Sequence, residues 1–146
     1  MNILLVEDSG ATSSRLAEAL DGEHHTVLEA FNINDARAHW DNRETTPIHC
    51  IIVDLNMPTD GLTQKQEKES HGGLLTGWLW LRDSVLPHVL AEDRQRVMIC
   101  SGFVPDFKGL VPAHEYQGIF VVDKRAPSGY AAKVLERVRA IGRLAE

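Results

Sequence analysis

Apolar residues in this chain fall into short unbroken runs, separated by stretches in which they recur every three or four positions. Four runs, Ile3–Val6, Ile48–Val53, Val97–Cys100 and Ile119–Val122, are rich in β-branched residues and do not alternate with polar ones. A strand with one face in water alternates, whereas a strand of a parallel sheet covered on both faces does not. A fifth, weaker run is His25–Ala30. Between the runs lie helical patterns. Leu16, Ala17 and Leu20 predict a helix over Ser13–Leu20, with Ser or Thr available as its cap. A short second helix covers Asn34–Trp40, capped by Asn34 or Asn32. Trp78, Leu81, Val85 and Val89 mark a third. Ala131, Val134, Leu135, Val138 and Ile141 mark the last, from Ser128 to about Leu144.

Strand–helix alternation repeated about five times predicts an α/β protein with helices on both faces of a parallel sheet. Right-handed crossovers leave few topologies, and the expected one is a flavodoxin-like five-stranded sheet of order 2-1-3-4-5 in a single domain, residues 1–146. In such sheets ligands bind at the carboxyl ends of the strands, beside the point where strand order reverses. The strand ends are therefore where chemistry is expected.

Strand 1 runs into Glu7-Asp8, strand 3 into Asp54, strand 4 into Ser101 and strand 5 into Asp123-Lys124. Carboxylates gathered on one edge repel each other unless a cation sits among them. Oxygen donors without imidazole or thiolate favour a hard ion, here Mg²⁺ with water completing its shell. The Ser101 hydroxyl and Lys124 ammonium suit the oxygens of a phosphoryl group, and Asp54 is placed as a nucleophile.

Composition narrows the reading. The chain is 43% hydrophobic and 25% charged with a net charge of −6, an acidic balance that argues against direct binding of nucleic acid or an anionic membrane. No apolar stretch approaches the roughly 20 residues a bilayer span needs, and "MNILLVEDSG" has no basic segment of the signal-peptide kind. A cytoplasmic location is expected. The seven histidines form no cluster of metal-ligand spacing, and Cys50 and Cys100 each adjoin an apolar run, as small core residues do.

The strings "ILLVEDS", "IIVDLNMP", "ICSG" and "VVDK", each at a predicted strand end, resemble the receiver domain of two-component response regulators, in order and over most of the chain. The resemblance implies that Asp54 is the phosphoacceptor, with a phosphohistidine on a histidine kinase or phosphotransfer protein as donor. It implies that Asp8 binds Mg²⁺ directly and Glu7 directly or through water. The backbone carbonyl of Asn56 would be a further ligand. Ser101 would contact the phosphoryl group, and Lys124 would pair with Asp54 or its phosphate. Such a domain is a self-catalysing phosphoacceptor rather than a turnover enzyme, and it signals to a downstream effector through protein contacts.

Three features depart from that pattern. Receivers have a short loop from the phosphoacceptor to a Gly opening the third helix. Here Gly77 fits that role, so residues 59–76 form an insertion about fifteen residues longer than such connections usually are. Polar and ending in His71-Gly72-Gly73, it reads either as a mobile surface insertion or as a lid or docking element, with Leu74-Leu75 available to anchor its end. The aromatic residue usual on strand 5 is replaced by Val121, with Phe120 beside it facing the other way, and no Lys-Pro step follows Lys124. Pro127 fits either a turn or the first position of the last helix. The fourth helix carries Gly109 and Pro112, both costly in a helix interior. Trp80 falls off the stripe of Trp78 and Leu81 and reads either as packed under the insertion or as an exposed contact. These departures keep open an alternative, a degenerate receiver that binds partners without being phosphorylated. A phospho-aspartyl hydrolase is disfavoured because Asn56 stands where such enzymes need an acid, and an amide cannot shuttle the proton.

Overall fold

The apolar runs pair side by side as expected. The computed structural model describes residues 1–127 and 129–144. Its strands are β1 (Asn2–Val6), β2 (Thr26–Ala30), β3 (Cys50–Val53), β4 (Val97–Ser101) and β5 (Phe120–Asp123). All pair in parallel in the order β2-β1-β3-β4-β5. Polar Asp54 and Asn56 follow β3 at once, and β5 runs one residue past the expected Val122 to Asp123.

The side chains of each strand divide between two apolar layers, as a two-residue period requires. Ile3, Leu5, Ile52, Met98, Cys100 and Val122 meet Leu16 and Leu20 of α1 (Gly10–Asp21) and Val134, Val138 and Ile141 of α6 (Tyr130–Leu144). Leu4, Val6, Ile51, Val53 and Ile99 meet α2 (Ile33–Asp41) and the helices that follow β3 and β4. Both cysteines are buried and free, and burial pushes each thiol up to about 12, so they act as packing groups. The expected first residue of the last helix, Ser128, lies outside the described residues.

Two helix starts are set by capping. Ser9 accepts the Thr12 N–H, which starts α1 three residues before the expected Ser13. Of the two candidates for α2, Asn32 is the cap, and its side chain accepts the Asp35 N–H at 2.8 Å.

The insertion is folded. Thr63 and Gln66 form a reciprocal capping box that starts α3 (Gln64–Glu69). This helix packs on α4 (Thr76–Trp80), and polar contacts hold it there: Gln66 donates to Asp83 at 2.9 Å and Arg82 to Glu69 at 2.9 Å. Leu75 is buried in the apolar layer and Leu62 half-buried against it. The segment is thus not a loose surface excursion, and every residue of α4 is buried beneath its surroundings. Trp80, 1% exposed, is core and not a contact patch.

The third predicted helix departs from its stripe. After α4 the chain widens into a π-helical turn, Leu81–Val85, in which the Leu86 N–H reaches back five residues to the Leu81 carbonyl. Pro87, which has no N–H to continue the ladder, then limits a 3₁₀ turn to Leu86–His88, and Val89 is extended. The fourth predicted helix is the short α5 (Val104–Leu110), closed by extended Val111 and Pro112. Arg137 is half-buried, with its guanidinium 5.0 Å from the centre of the Phe120 ring. No helix among the described residues is long and apolar enough to cross a membrane.

Candidate functional site

The sheet's hydrogen-bond ladder continues one step beyond the ends of β1, β3 and β5. The Asp54 N–H donates to Val6 O, the Glu7 N–H to Ala30 O and the Lys124 N–H to Ser101 O, each at 2.9 Å. Three separate strands therefore deliver Glu7, Asp54 and Lys124 to one rim with their main chains fixed.

There the side chains converge. Lys124 Nζ donates to Glu7 Oε2 at 2.6 Å and to Asp54 Oδ2 at 3.3 Å. Carboxylate oxygens of Glu7, Asp8 and Asp54 all lie within 4.8 Å of one another. Glu7 and Asp54 are 2% and 8% exposed, whereas Asp8 is open to solvent. Backbone donors hold two of the acids in place: Leu55 N–H reaches Asp54 Oδ1 at 2.7 Å, and Ser9 N–H reaches Glu7 Oε1 at 3.1 Å.

One ammonium faces three acids, and the imbalance shows in the acidities of Glu7 and Asp8. Burial, joined by the charge of Asp54, pushes Glu7 up from 4.5 to about 7 despite the Lys124 contacts that pull it down. Asp8 is raised for the same two reasons. Burial alone would lower Lys124, but the carboxylates of Asp54 and Glu7 outweigh it and hold the ammonium above its ordinary value. A carboxyl whose folded pKa is raised contributes stability below its unfolded pKa and loses it as pH climbs through the folded one. Relative to Glu7→Gln, the metal-free protein should thus lose stability between pH 4.5 and 7. Thermal melts of both in chelator test this, and a difference that stays flat or grows with pH contradicts it.

The donor set fits a hard dication: it is all oxygen, it carries more negative than positive charge, and exposed Asp8 leaves a side open to water. The chain beyond Asp54 adds a main-chain candidate. Leu55 O accepts the Gly77 N–H at 3.0 Å, and Met57 O accepts the Thr76 hydroxyl at 2.8 Å. Among the described residues no donor reaches the Asn56 carbonyl between them.

Ser101 also sits at the rim, but inward. It ends β4 opposite Asp123, is fully buried, and its hydroxyl accepts the Phe103 N–H at 3.1 Å. Among the described residues no hydrogen bond joins it to the acids. The role of Gly77 in the site goes beyond the helix opening read from sequence. A Cβ at that position would stand 1.9 Å from the Asp54 carbonyl oxygen, so α4 starts directly on the backbone of Asp54.

A parallel sheet of order 2-1-3-4-5 with acids gathered at its carboxyl rim defines a flavodoxin-like α/β protein. No protein-family model matches the chain, and no curated protein matches it. Solved structures match over nearly its full length. A CheY-like response regulator receiver domain protein from Methanospirillum hungatei JF-1 superposes with a TM-score of 0.65 at 14% identity, covering 95% of this chain and 90% of that one. The receiver domain of the hybrid histidine kinase CckA gives 0.53 at 23% identity, covering 97% and 98%. The response regulator TrrA from Thermotoga maritima, solved in complex with Mg(2+)-BeF, gives 0.58 at 16% identity, covering 96% and 97%. The chain has the CheY-like receiver fold.

Proposed function

We propose that this protein is a phosphorylatable receiver of a two-component phosphorelay, with Asp54 as phosphoacceptor and Mg²⁺ held by Glu7, Asp8, Asp54 and the Asn56 carbonyl. The observation that carries the reading is Lys124 Nζ, placed within reach of Asp54 Oδ2 at 3.3 Å in a cluster of three acids, two of them buried. A lysine brought there across 70 residues of sequence is an unlikely ornament for an inert rim.

Phosphoryl transfer needs little from a protein beyond in-line placement and neutralisation of the oxygens. The Leu55 N–H orients the Asp54 carboxylate, so one oxygen can attack phosphorus as the phosphorus–nitrogen bond of a phosphohistidine breaks and the imidazole leaves with the bonding pair. Lys124 balances charge on the transferred group. Bound Mg²⁺ would supply the remaining positive charge. Ser101 would turn its hydroxyl from the Phe103 N–H toward the phosphoryl oxygens, shifting a two-state equilibrium of the following loop. The donor would be a histidine kinase or phosphotransfer protein, and the readout a contact with an effector protein. Such a domain catalyses its own modification without acting as a turnover enzyme.

Intact mass after incubation with acetyl phosphate and Mg²⁺ tests the reading. A stoichiometric phosphoryl gain supports it. Mg²⁺ binding without any gain, from acetyl phosphate or a phosphohistidine donor, favours the alternative of a degenerate interaction module. Lys124→Ala gives a second check. Removing the ammonium that now neutralises Glu7 and Asp54 should keep or tighten Mg²⁺ binding, yet slow phosphorylation and weaken partner recognition. Loss of Mg²⁺ binding by that variant, seen by calorimetry, would contradict the assigned roles.

A further inference from the structure

We propose that Thr76 is a positioning residue for the cation site, acting from the end of the insertion through the backbone of Met57. The inference rests on the reading of Glu7, Asp8, Asp54 and the Asn56 carbonyl as a Mg²⁺ site.

Thr76 is fully buried and is the first residue of α4, but its hydroxyl does not cap that helix. It reaches back 19 residues to Met57 O at 2.8 Å and also lies 2.9 Å from Gly73 O. Gly73 O in turn accepts the Met57 N–H at 3.3 Å. Both polar groups of the Met57 main chain are therefore held by the insertion's last turn, while the Gly77 N–H holds Leu55 O at 3.0 Å. Asn56 hangs between two fixed residues, and its carbonyl is the one left without a protein donor among the described residues.

The last turn is itself built for this approach. Ser70, fully buried, donates to Glu67 O and accepts the Gly73 N–H at 3.1 Å. His71, Gly72 and Gly73 all have positive φ, which folds the chain back onto the loop after Asp54. At Gly73 a Cβ would stand 3.0 Å from Met57 O, so only glycine allows the approach without displacing that carbonyl. Without the Thr76 hydroxyl, Met57 O would lose its donor in a buried place, and groups so stranded force the chain to move. The segment that moves carries Asn56.

Thr76→Val preserves shape and removes the hydroxyl, whereas Thr76→Ser restores it. Mg²⁺ binding, measured by calorimetry with MgCl₂, should weaken about tenfold in Thr76→Val, the usual cost of losing a group that orients a ligand. It should return close to the wild-type value in Thr76→Ser. In chelator, amide exchange at Met57 should accelerate in Thr76→Val with the β-sheet amides unchanged. Wild-type Mg²⁺ affinity in folded Thr76→Val overturns the proposal, as does equal loss in the Val and Ser variants. Absence of Mg²⁺ binding by the wild-type protein overturns both the proposal and the reading beneath it, which separates the two failures. If Thr76→Val does not fold, Ser70→Ala decides: it loosens the same turn one residue group further out and should weaken Mg²⁺ binding, and unchanged affinity overturns the proposal.

Discussion

Asp54→Asn should leave the protein folded and abolish phosphoryl transfer. The wild-type domain should gain one phosphoryl group from acetyl phosphate with Mg²⁺, and the variant none. The substitution is nearly isosteric, and the amide can keep the oxygen that accepts the Leu55 N–H. What it removes is the anionic oxygen facing Lys124, and with it the proposed nucleophile, because a carboxamide does not form an acyl phosphate. The variant also sheds one of three crowded negative charges, which relieves the repulsion that helps raise Glu7 and Asp8. Its melting temperature in chelator should therefore equal or exceed that of the wild type. Intact mass and a thermal melt check both halves. A phosphoryl gain retained in Asp54→Asn would move the acceptor elsewhere on the chain.

Gly77→Ala should be the most damaging single-methyl change in the protein. The added Cβ would lie 1.9 Å from Asp54 O and 3.0 Å from a Val53 methyl, and backbone at a strand end cannot step aside. Overpacking of this kind costs about 3 kcal/mol, which for a domain of this size lowers Tm by roughly 10 °C. The damage falls on the peptide that carries Asp54, the proposed nucleophile, so phosphorylation should slow even in the fraction that folds. Gly109→Ala is the control. Its Cβ meets nothing within 4 Å inside α5, and replacing a helical glycine there should stabilise by about 0.5 kcal/mol. Thermal melts of the two variants should move in opposite directions. A Tm for Gly77→Ala within a degree or two of wild type would show that α4 can lift off Asp54 freely.

The sheet and its rim were legible because each depends on local signals. Unbroken β-branched runs marked the strands, and polar residues directly after them, Glu7, Asp54 and Lys124, marked the edge where parallel strands must end together. Chain handedness narrowed the strand orders to a few, among which 2-1-3-4-5 was the one expected. What was not legible depends on contacts between distant segments. Nothing in "HGGLLTG" announces that Thr76 will bond the Met57 carbonyl or that Gly73 will receive its N–H, because main-chain partners leave no trace in residue identity. The polar run before it has no apolar period, yet a capping box and the Arg82–Glu69 and Gln66–Asp83 contacts make a helix of it. Trp80 left its expected stripe unexplained because the reading allowed α4 only one buried face, whereas the whole helix is enclosed. Ser101 was placed correctly at the strand end, but its present partner, the Phe103 N–H, is a local turn contact that residue types do not reveal.

Val121 sits half-buried against the layer that α4 and α5 cover, while the neighbouring aromatic ring, Phe120, lies on the opposite face beneath Arg137. A valine turns about a single stiff bond and sweeps out almost no volume. Position 121 itself therefore offers no bulky lever to convert a change at the rim into a new outline on the flank. On the proposed reading, the carbonyl–amide link from Ser101 to Lys124 ties the rim to β5, and Ser101 leads into α5. Beyond Ser101 and Lys124, that path is main-chain geometry, which substitution at position 121 would leave in place.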